Sequence, residues 1–330
     1  MPAALRKIAR IGLVVGVALW LWLVWHAGPS LLWNYLALTG PWMFLLLGIE
    51  AVRIAIRAVA CRWAMAEERV QFSLPAMYSV MIVTQAIQFV TVAGSVFGES
   101  MKALLFSKRV SAARALSSVV LDVLLYQFSA GLFVLVGIAV MVQVLPVASG
   151  VHGYLRVVGA VVMGLIILVI VGFARQWRTT LGWLNRMGRS NRTFAGVRSW
   201  LEERKLGGAG DQVARFHARH PRLFYQILLA DLLAHCVNAF EIWVVMLLLS
   251  LPASFSEAVA VAAIGKVLRS TGHLVPGSIG FFEGGIGLIV SAMGSTLAVG
   301  TALALVIQVR SVLWAGIGFL VFLWIVVKER

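Results

Sequence analysis

Apolar residues fall along this chain in long blocks, with polar residues gathered between the blocks or isolated at a few positions within them. A helix needs roughly 20 predominantly apolar residues to cross a hydrocarbon core of ~30 Å. The pattern predicts full crossings at 11–27, 41–61, 115–144, 155–174, 223–250 and 299–327. Two further apolar segments, 74–106 and 257–294, are each interrupted in the middle. The first break is Gly94-Ser95-Val96-Phe97-Gly98-Glu99, and the second runs from Pro276-Gly277-Ser278 through Gly280 to Glu283. The shorter halves fall below the length of a span, so each segment is predicted to be a re-entrant hairpin.

Composition agrees with this picture: 61% of residues are hydrophobic, mean hydropathy is +0.94 and only 12% are charged. Soluble domains carry about 25% charged residues, so a soluble globular enzyme is excluded. The formal charge of +15 does not point to nucleic acid, because the basic residues sit beside apolar segments and form no patch with interleaved aromatics. Eleven Lys or Arg lie in 175–222 against Glu202, Glu203 and Asp211, which predicts a basic cytoplasmic linker resting on anionic phospholipid. By the same rule both termini are cytoplasmic, in a bacterial inner membrane. Arg6, Lys7 and Arg10 ahead of the apolar run to Trp25 have the layout of a signal peptide, but no small-x-small cleavage site follows, so the segment is expected to stay as the first span. Cys61 and Cys236 have no CxxC or metal-ligand spacing, and neither a disulfide nor a metal is expected.

In this topology hairpin 74–106 opens to the cytoplasm and hairpin 257–294 to the outside. Gly-Ser-x-x-Gly-Glu at 94–99 parallels Gly-Ser-x-Gly-x-x-Glu at 277–283, and each is followed by an Ala-Leu-rich helix, at Ala115 and at Ala302. Paired interrupted segments in halves of opposite orientation mark an inverted-repeat transporter. The expected fold is therefore an all-α integral membrane protein of about six full transmembrane helices plus two re-entrant hairpins. One repeat occupies 1–174 and the other 223–330. A second reading, in which the glycines are packing kinks in ordinary helices, stays open at this point.

Twelve ionisable residues fall at membrane depth: Glu50, Arg53, Arg57, Glu99, Lys102, Asp122, Asp231, Glu241, Lys266, Arg269, Glu283 and Arg310, with His235 and His273 besides. At about 2.5–3.5 kcal/mol each, twelve unpaired charges would cost roughly 30–40 kcal/mol, well beyond a fold's margin of ~5–15 kcal/mol. They must be paired, hydrated or snorkelling. Glu50, Arg53 and Arg57 share one helical face, as do Asp231, His235 and Asn238 with Glu241 flanking them. Arg53, Arg57, Asp122, Asp231, His235 and Glu241 are read as a supporting polar network, with helix-to-helix hydrogen bonding and, for the two arginines, snorkelling as alternatives. Glu99 and Glu283 flank the breaks, where half-helix ends expose backbone donors and carbonyls. Candidate substrate contacts are Glu99, Lys102, Lys266, Arg269, Pro276, Gly277, Glu283 and Arg310. The cations suit a lipid phosphate, while Glu99 and Glu283 suit a cationic group, a proton or a neighbouring Arg.

The run Val275-Pro276-Gly277-Ser278-Ile279-Gly280-Phe281-Phe282-Glu283-Gly284-Gly285, followed by Ala302 to Arg310, resembles the transmembrane, flippase-like region of lysylphosphatidylglycerol synthases and their stand-alone relatives. Gly98-Glu99-Ser100-Met101-Lys102 and Arg57 to Trp63 match less strongly. The stretch Leu121 to Tyr126 departs from the family, which usually carries an acidic-basic pair and a later Asp there. The resemblance implies movement of an anionic or modified (glyco)lipid from the inner to the outer leaflet. The chain ends at Arg330 without the synthases' soluble aminoacyltransferase domain, so a mover without the maker is expected, and a subgroup accompanying hopanoid synthesis is one home for it.

Catalytic signatures are missing: Gly265-Lys266 is followed by Val267 and so is no Walker A loop, and there is no HExxH or GxSxG. No enzyme activity and no cofactor are expected. Two rival readings remain: a membrane-embedded lipid-modifying enzyme using Glu99 and Glu283 as acid and base, and a scaffold that recruits lipid-biosynthesis enzymes through 175–222.

Overall fold

A computed structural model describes residues 25, 29–91, 94–144, 213, 215–251, 253–271 and 278–328. The expected span at 155–174, almost all of the span at 11–27, the linker up to residue 212, and His273, Pro276 and Gly277 lie outside the described residues. What is described is helical: α1 (Pro29–Thr39), α2 (Met43–Ala64), α3 (Leu74–Val90), α4 (Gly94–Ser107), α5 (Ala112–Val144), α6 (Pro221–Leu248), α7 (Phe255–Thr271), α8 (Phe281–Ala292) and α9 (Leu297–Lys328).

Among the described residues, three helices are long and apolar enough to cross a membrane, at Arg114–Gln143, Pro221–Leu248 and Leu297–Ile325. They match three of the expected spans. A fourth, α2, has 22 residues, about 33 Å of helix, but carries Glu50, Arg53 and Arg57 in its middle. By contrast α3 and α7 have 17 residues each, α4 has 14 and α8 has 12, so each is about 26 Å or shorter and falls short of ~30 Å. Between the crossings expected at 11–27 and 41–61 the chain forms α1: Pro29 sets the φ of a helical start, and the apolar run behind it packs on α9.

The first interruption also lies elsewhere than expected. The chain breaks at Thr91, which is extended, and α4 already starts at Gly94, so Gly98 and Glu99 belong to its first turns. These glycines act as spacers instead of breakers. A Cβ at Gly98 would stand 2.8 Å from the Thr84 carbonyl oxygen, so α3 and α4 touch this closely only because the side chain is missing. In the second segment the turn is a real one: Ser278 and Gly280 have φ of 54° and 82°, and α8 begins directly after them.

Packing between the two halves is reciprocal. Helix α3 of the first short pair packs on α4 and on α9, the long helix following the second pair, while α7 packs on α8 and on α5, the long helix following the first. Helices α2 and α6 pack on each other. Even the close contacts correspond, with Gly318 of α9 lying against Ala86 of α3 and Gly137 of α5 against Ala263 of α7. One apolar core joins α6 to α9 through Ala262, Ile286, Leu303 and Val306, and another places Val213 and Phe216 of the linker's end against Ala60 and Leu121. Outward-facing positions such as Phe44, Leu229, Leu288 and Leu320 are apolar and exposed, whereas Glu50, Lys102, Asp122, Asp231, Glu241 and Arg310 are buried. Charge inside and hydrocarbon outside is the distribution of a protein solvated by lipid.

Candidate functional site

The short helix pairs meet around an interior cavity of about 340 Å³. Its wall takes Thr84, Gln85 and Gln88 from α3, Ser95, Glu99 and Lys102 from α4, Gly265, Lys266 and Arg269 from α7, and Phe282 from α8. The wall also takes Arg53 and Arg57 of α2, Tyr126 of α5, Asn238 of α6, and Arg310 and Ser311 of α9.

Two ion-pair clusters support this wall, and both straddle the α2–α6 pair. In the first, Arg57 pairs with Asp231 and, at 3.3 Å, with Asp122, which also takes Lys102 Nζ at 2.9 Å. Lys102 meets Glu99 at 2.6 Å, and Gln88 donates to the other Glu99 oxygen at 3.0 Å. In the second, Arg53 Nε donates to Glu50 at 2.6 Å, and Arg310 reaches Glu50 at 3.1 Å and Glu241 at 2.6 Å. Gln85 closes that cluster by donating to Glu50 at 2.6 Å. Nine of the twelve membrane-depth ionisable residues are thus in ion pairs, because each would be costly alone. Arg57 does not snorkel: it is 6% exposed, held by two carboxylates and stacked 4.1 Å from the Tyr126 ring centre.

Three of the twelve stand apart. Lys266 and Arg269 both face the cavity, one helical turn apart on α7, and neither forms an ion pair with a carboxylate among the described residues. Aromatic faces hold them instead: Lys266 Nζ lies 5.9 Å and 5.7 Å from the Tyr126 and Phe133 ring centres, and the Arg269 guanidinium lies 3.9 Å from that of Phe282. Glu283 is fully buried but is not part of the cavity wall. Its Oε2 accepts the Gly280 N–H at 2.7 Å, capping α8 from its N3 position, and it forms no ion pair with Arg269 or Arg310.

The expected substrate contacts Glu99, Lys102, Lys266, Arg269 and Arg310 are therefore brought together; Glu283 sits apart as a cap, and Pro276 and Gly277 lie outside the described residues. His235 is buried one step behind the cavity, within hydrogen-bond distance of Ser129 at 3.1 Å, its ring beside Tyr126 and Phe133. Sequence reading passed over Thr84, Gln85 and Gln88. Their spacing of i, i+1 and i+4 in an apolar helix is a polar stripe that could have been found. Tyr126 was also passed over, one turn beyond Asp122 on α5. Among the described residues no group of three or more metal-ligating side chains comes together.

The family model described as "Lysylphosphatidylglycerol synthase TM region" matches residues 9–318. No curated protein and no solved structure matches the chain.

Proposed function

The chain belongs to the lysylphosphatidylglycerol synthase transmembrane-region family, multi-pass membrane proteins linked to lipid modification or flipping, and from that premise we propose that it carries a membrane lipid between leaflets. One observation supports this reading above the others: a cavity lined by charged side chains is walled by both pairs of short helices inside a body whose outer surface is apolar. A lipid head group crossing a bilayer needs such a polar passage, and hairpins too short to span leave room for it. In this reading α3–α4 and α7–α8 are re-entrant and related as inverted repeats, which the reciprocal packing of α3 on α9 and α7 on α5 supports. The basic 175–222 linker and both termini face the cytoplasm of a bacterial inner membrane, the linker resting on anionic phospholipid.

Chemical change of the lipid is not part of the proposal. An acid–base pair needs both groups at the reacting atom, and only Glu99 of the two candidate glutamates lines the cavity. Reconstitution into liposomes tests the reading. Labelled lipid should exchange between leaflets with its mass unchanged; altered mass would favour a lipid-modifying enzyme, and neither change a scaffold for lipid-synthesis enzymes.

A further inference from the structure

The cavity's charges are not evenly matched. Arg53, Arg57, Lys102 and Arg310 each have a carboxylate within 4 Å, and Glu50, Glu99, Asp122, Asp231 and Glu241 are all taken up by these four cations. Glu283 lies outside the cavity wall and gives one carboxylate oxygen to the α8 cap. Among the described residues Lys266 and Arg269 have no carboxylate partner: ring faces lie beside both, which stabilise positive charge, and the Tyr126 hydroxyl takes one donor of Lys266. An independent observation points into the same space: Thr84 lines the cavity and is 2% exposed, yet its hydroxyl has no hydrogen-bond partner among the described residues.

Building on the translocation reading, we propose that Lys266 and Arg269 form the seat of an anionic phosphate group, with the Thr84 hydroxyl facing it, so that the lipid carried is net anionic and not aminoacylated. Chemistry supports the assignment. A guanidinium presents a fork that matches two phosphate oxygens, the ammonium adds a compact charge one turn away, and the hydroxyl can donate to a further oxygen. Two cations of one sign on one helix face repel each other, so a bound anion relieves a strain that the protein alone leaves in place. A head group bearing a lysyl or other free amine would bring a third cation to this wall, with every carboxylate there already engaged. Zwitterionic head groups would be favoured at the phosphate and penalised at the amine.

The test uses the full chain in a neutral detergent, with thermal stabilisation titrated by short-chain phosphatidylglycerol, short-chain phosphatidylcholine, short-chain lysylphosphatidylglycerol and inorganic phosphate. The anionic lipid should bind at least about tenfold more tightly than the zwitterionic and cationic ones. In Lys266→Gln/Arg269→Gln that preference should shrink to about threefold or less; neither side chain is an ion-pair partner, so the double variant should remain folded. Equal binding of the three lipids, or an undiminished preference in the double variant, overturns the seat. The wild-type comparison tests the anion preference even where the variant fails to fold. Protection by inorganic phosphate as strong as that by the anionic lipid overturns the lipid source and assigns the seat to a soluble phosphate. Leaflet exchange measured on the same preparations separates this inference from the function it builds on. Exchange without anion preference sinks the seat and leaves translocation standing; anion preference without exchange does the reverse.

Discussion

Arg310 joins three helices, and its removal should be felt throughout the protein. From α9 its guanidinium reaches Glu50 on α2 at 3.1 Å and Glu241 on α6 at 2.6 Å. Arg310→Met keeps the apolar stem and deletes the charge. Glu50 retains Arg53 and Gln85, but Glu241, 1% exposed, has no other cation within 4 Å among the described residues. Removing one partner of a buried pair costs about 3–5 kcal/mol, and a Coulomb interaction at this separation with an effective dielectric near 20 is of the same order, about 6 kcal/mol. That consumes much of a margin of ~5–15 kcal/mol. The single variant should therefore melt roughly 6–10 °C lower, at about 2 °C per kcal/mol, or fail to accumulate. Arg310→Met/Glu241→Gln trades the stranded carboxylate for a neutral amide and should recover more than half of that loss. Fluorescence-detected size exclusion after heating reads both variants directly. A single variant as stable as wild type, or a double variant no better than the single, would refute the assignment of Glu241's charge to Arg310.

Gly318→Ala places a Cβ 2.8 Å from the Ile82 carbonyl oxygen and should cost about 1–3 kcal/mol, read as a lower melting temperature; an unchanged one would deny the close approach of α9 and α3. Glu283→Gln keeps an oxygen for the Gly280 N–H and should melt near wild type, whereas Glu283→Ala loses the cap and ~0.5–2 kcal/mol. The same Glu283→Gln protein should exchange lipid within about threefold of wild type, and a tenfold drop would return Glu283 to the substrate path. Topology can be read by cysteine labelling in intact cells: Val96→Cys and Ser190→Cys should resist a bulky impermeant reagent that labels Ser149→Cys, and rapid labelling of either would break the hairpin or the orientation assigned to it.

Much of this fold is legible in the sequence because lipid imposes a simple demand. A helix must be long and apolar to cross, so the spans now seen in α5, α6 and α9 could be marked from composition alone. Short halves around a break could likewise be marked as unable to span. What composition could not separate is a glycine that ends a helix from a glycine that lets two helices touch. Gly280 has a backbone conformation that other residues adopt only with strain, whereas Gly98 sits within α4 against Thr84. Both read as a Gly shortly before a Glu, and only the neighbour across the gap distinguishes them. The same ambiguity hid α1, since apolar residues between two crossings look alike whether they loop or pack.

The site was legible to the extent that charge is expensive in a bilayer. Any ionisable residue inside a span is a candidate, so Arg57, Asp122, Asp231 and Arg310 could be named before any partner was known. Partnership is a different matter, because it joins residues far apart in the chain: Arg57 meets Asp122 and Asp231 from two other helices, and no spacing rule reaches that far. The twelve membrane-depth charges divide into equal numbers of acids and bases, yet the pairing is lopsided, since Asp122 serves two cations and Glu50 serves two more while Glu283 turns back to its own helix. A count of charges is blind to that distribution. Geometry concentrates the carboxylates on four cations, and the remaining two, Lys266 and Arg269, line the cavity with no carboxylate partner among the described residues. Paired charges hold the helices together, and unpaired charges are what a ligand can meet. Among the described residues, the distinction between architecture and site in this protein is therefore a distinction between cations that have a carboxylate and cations that have none.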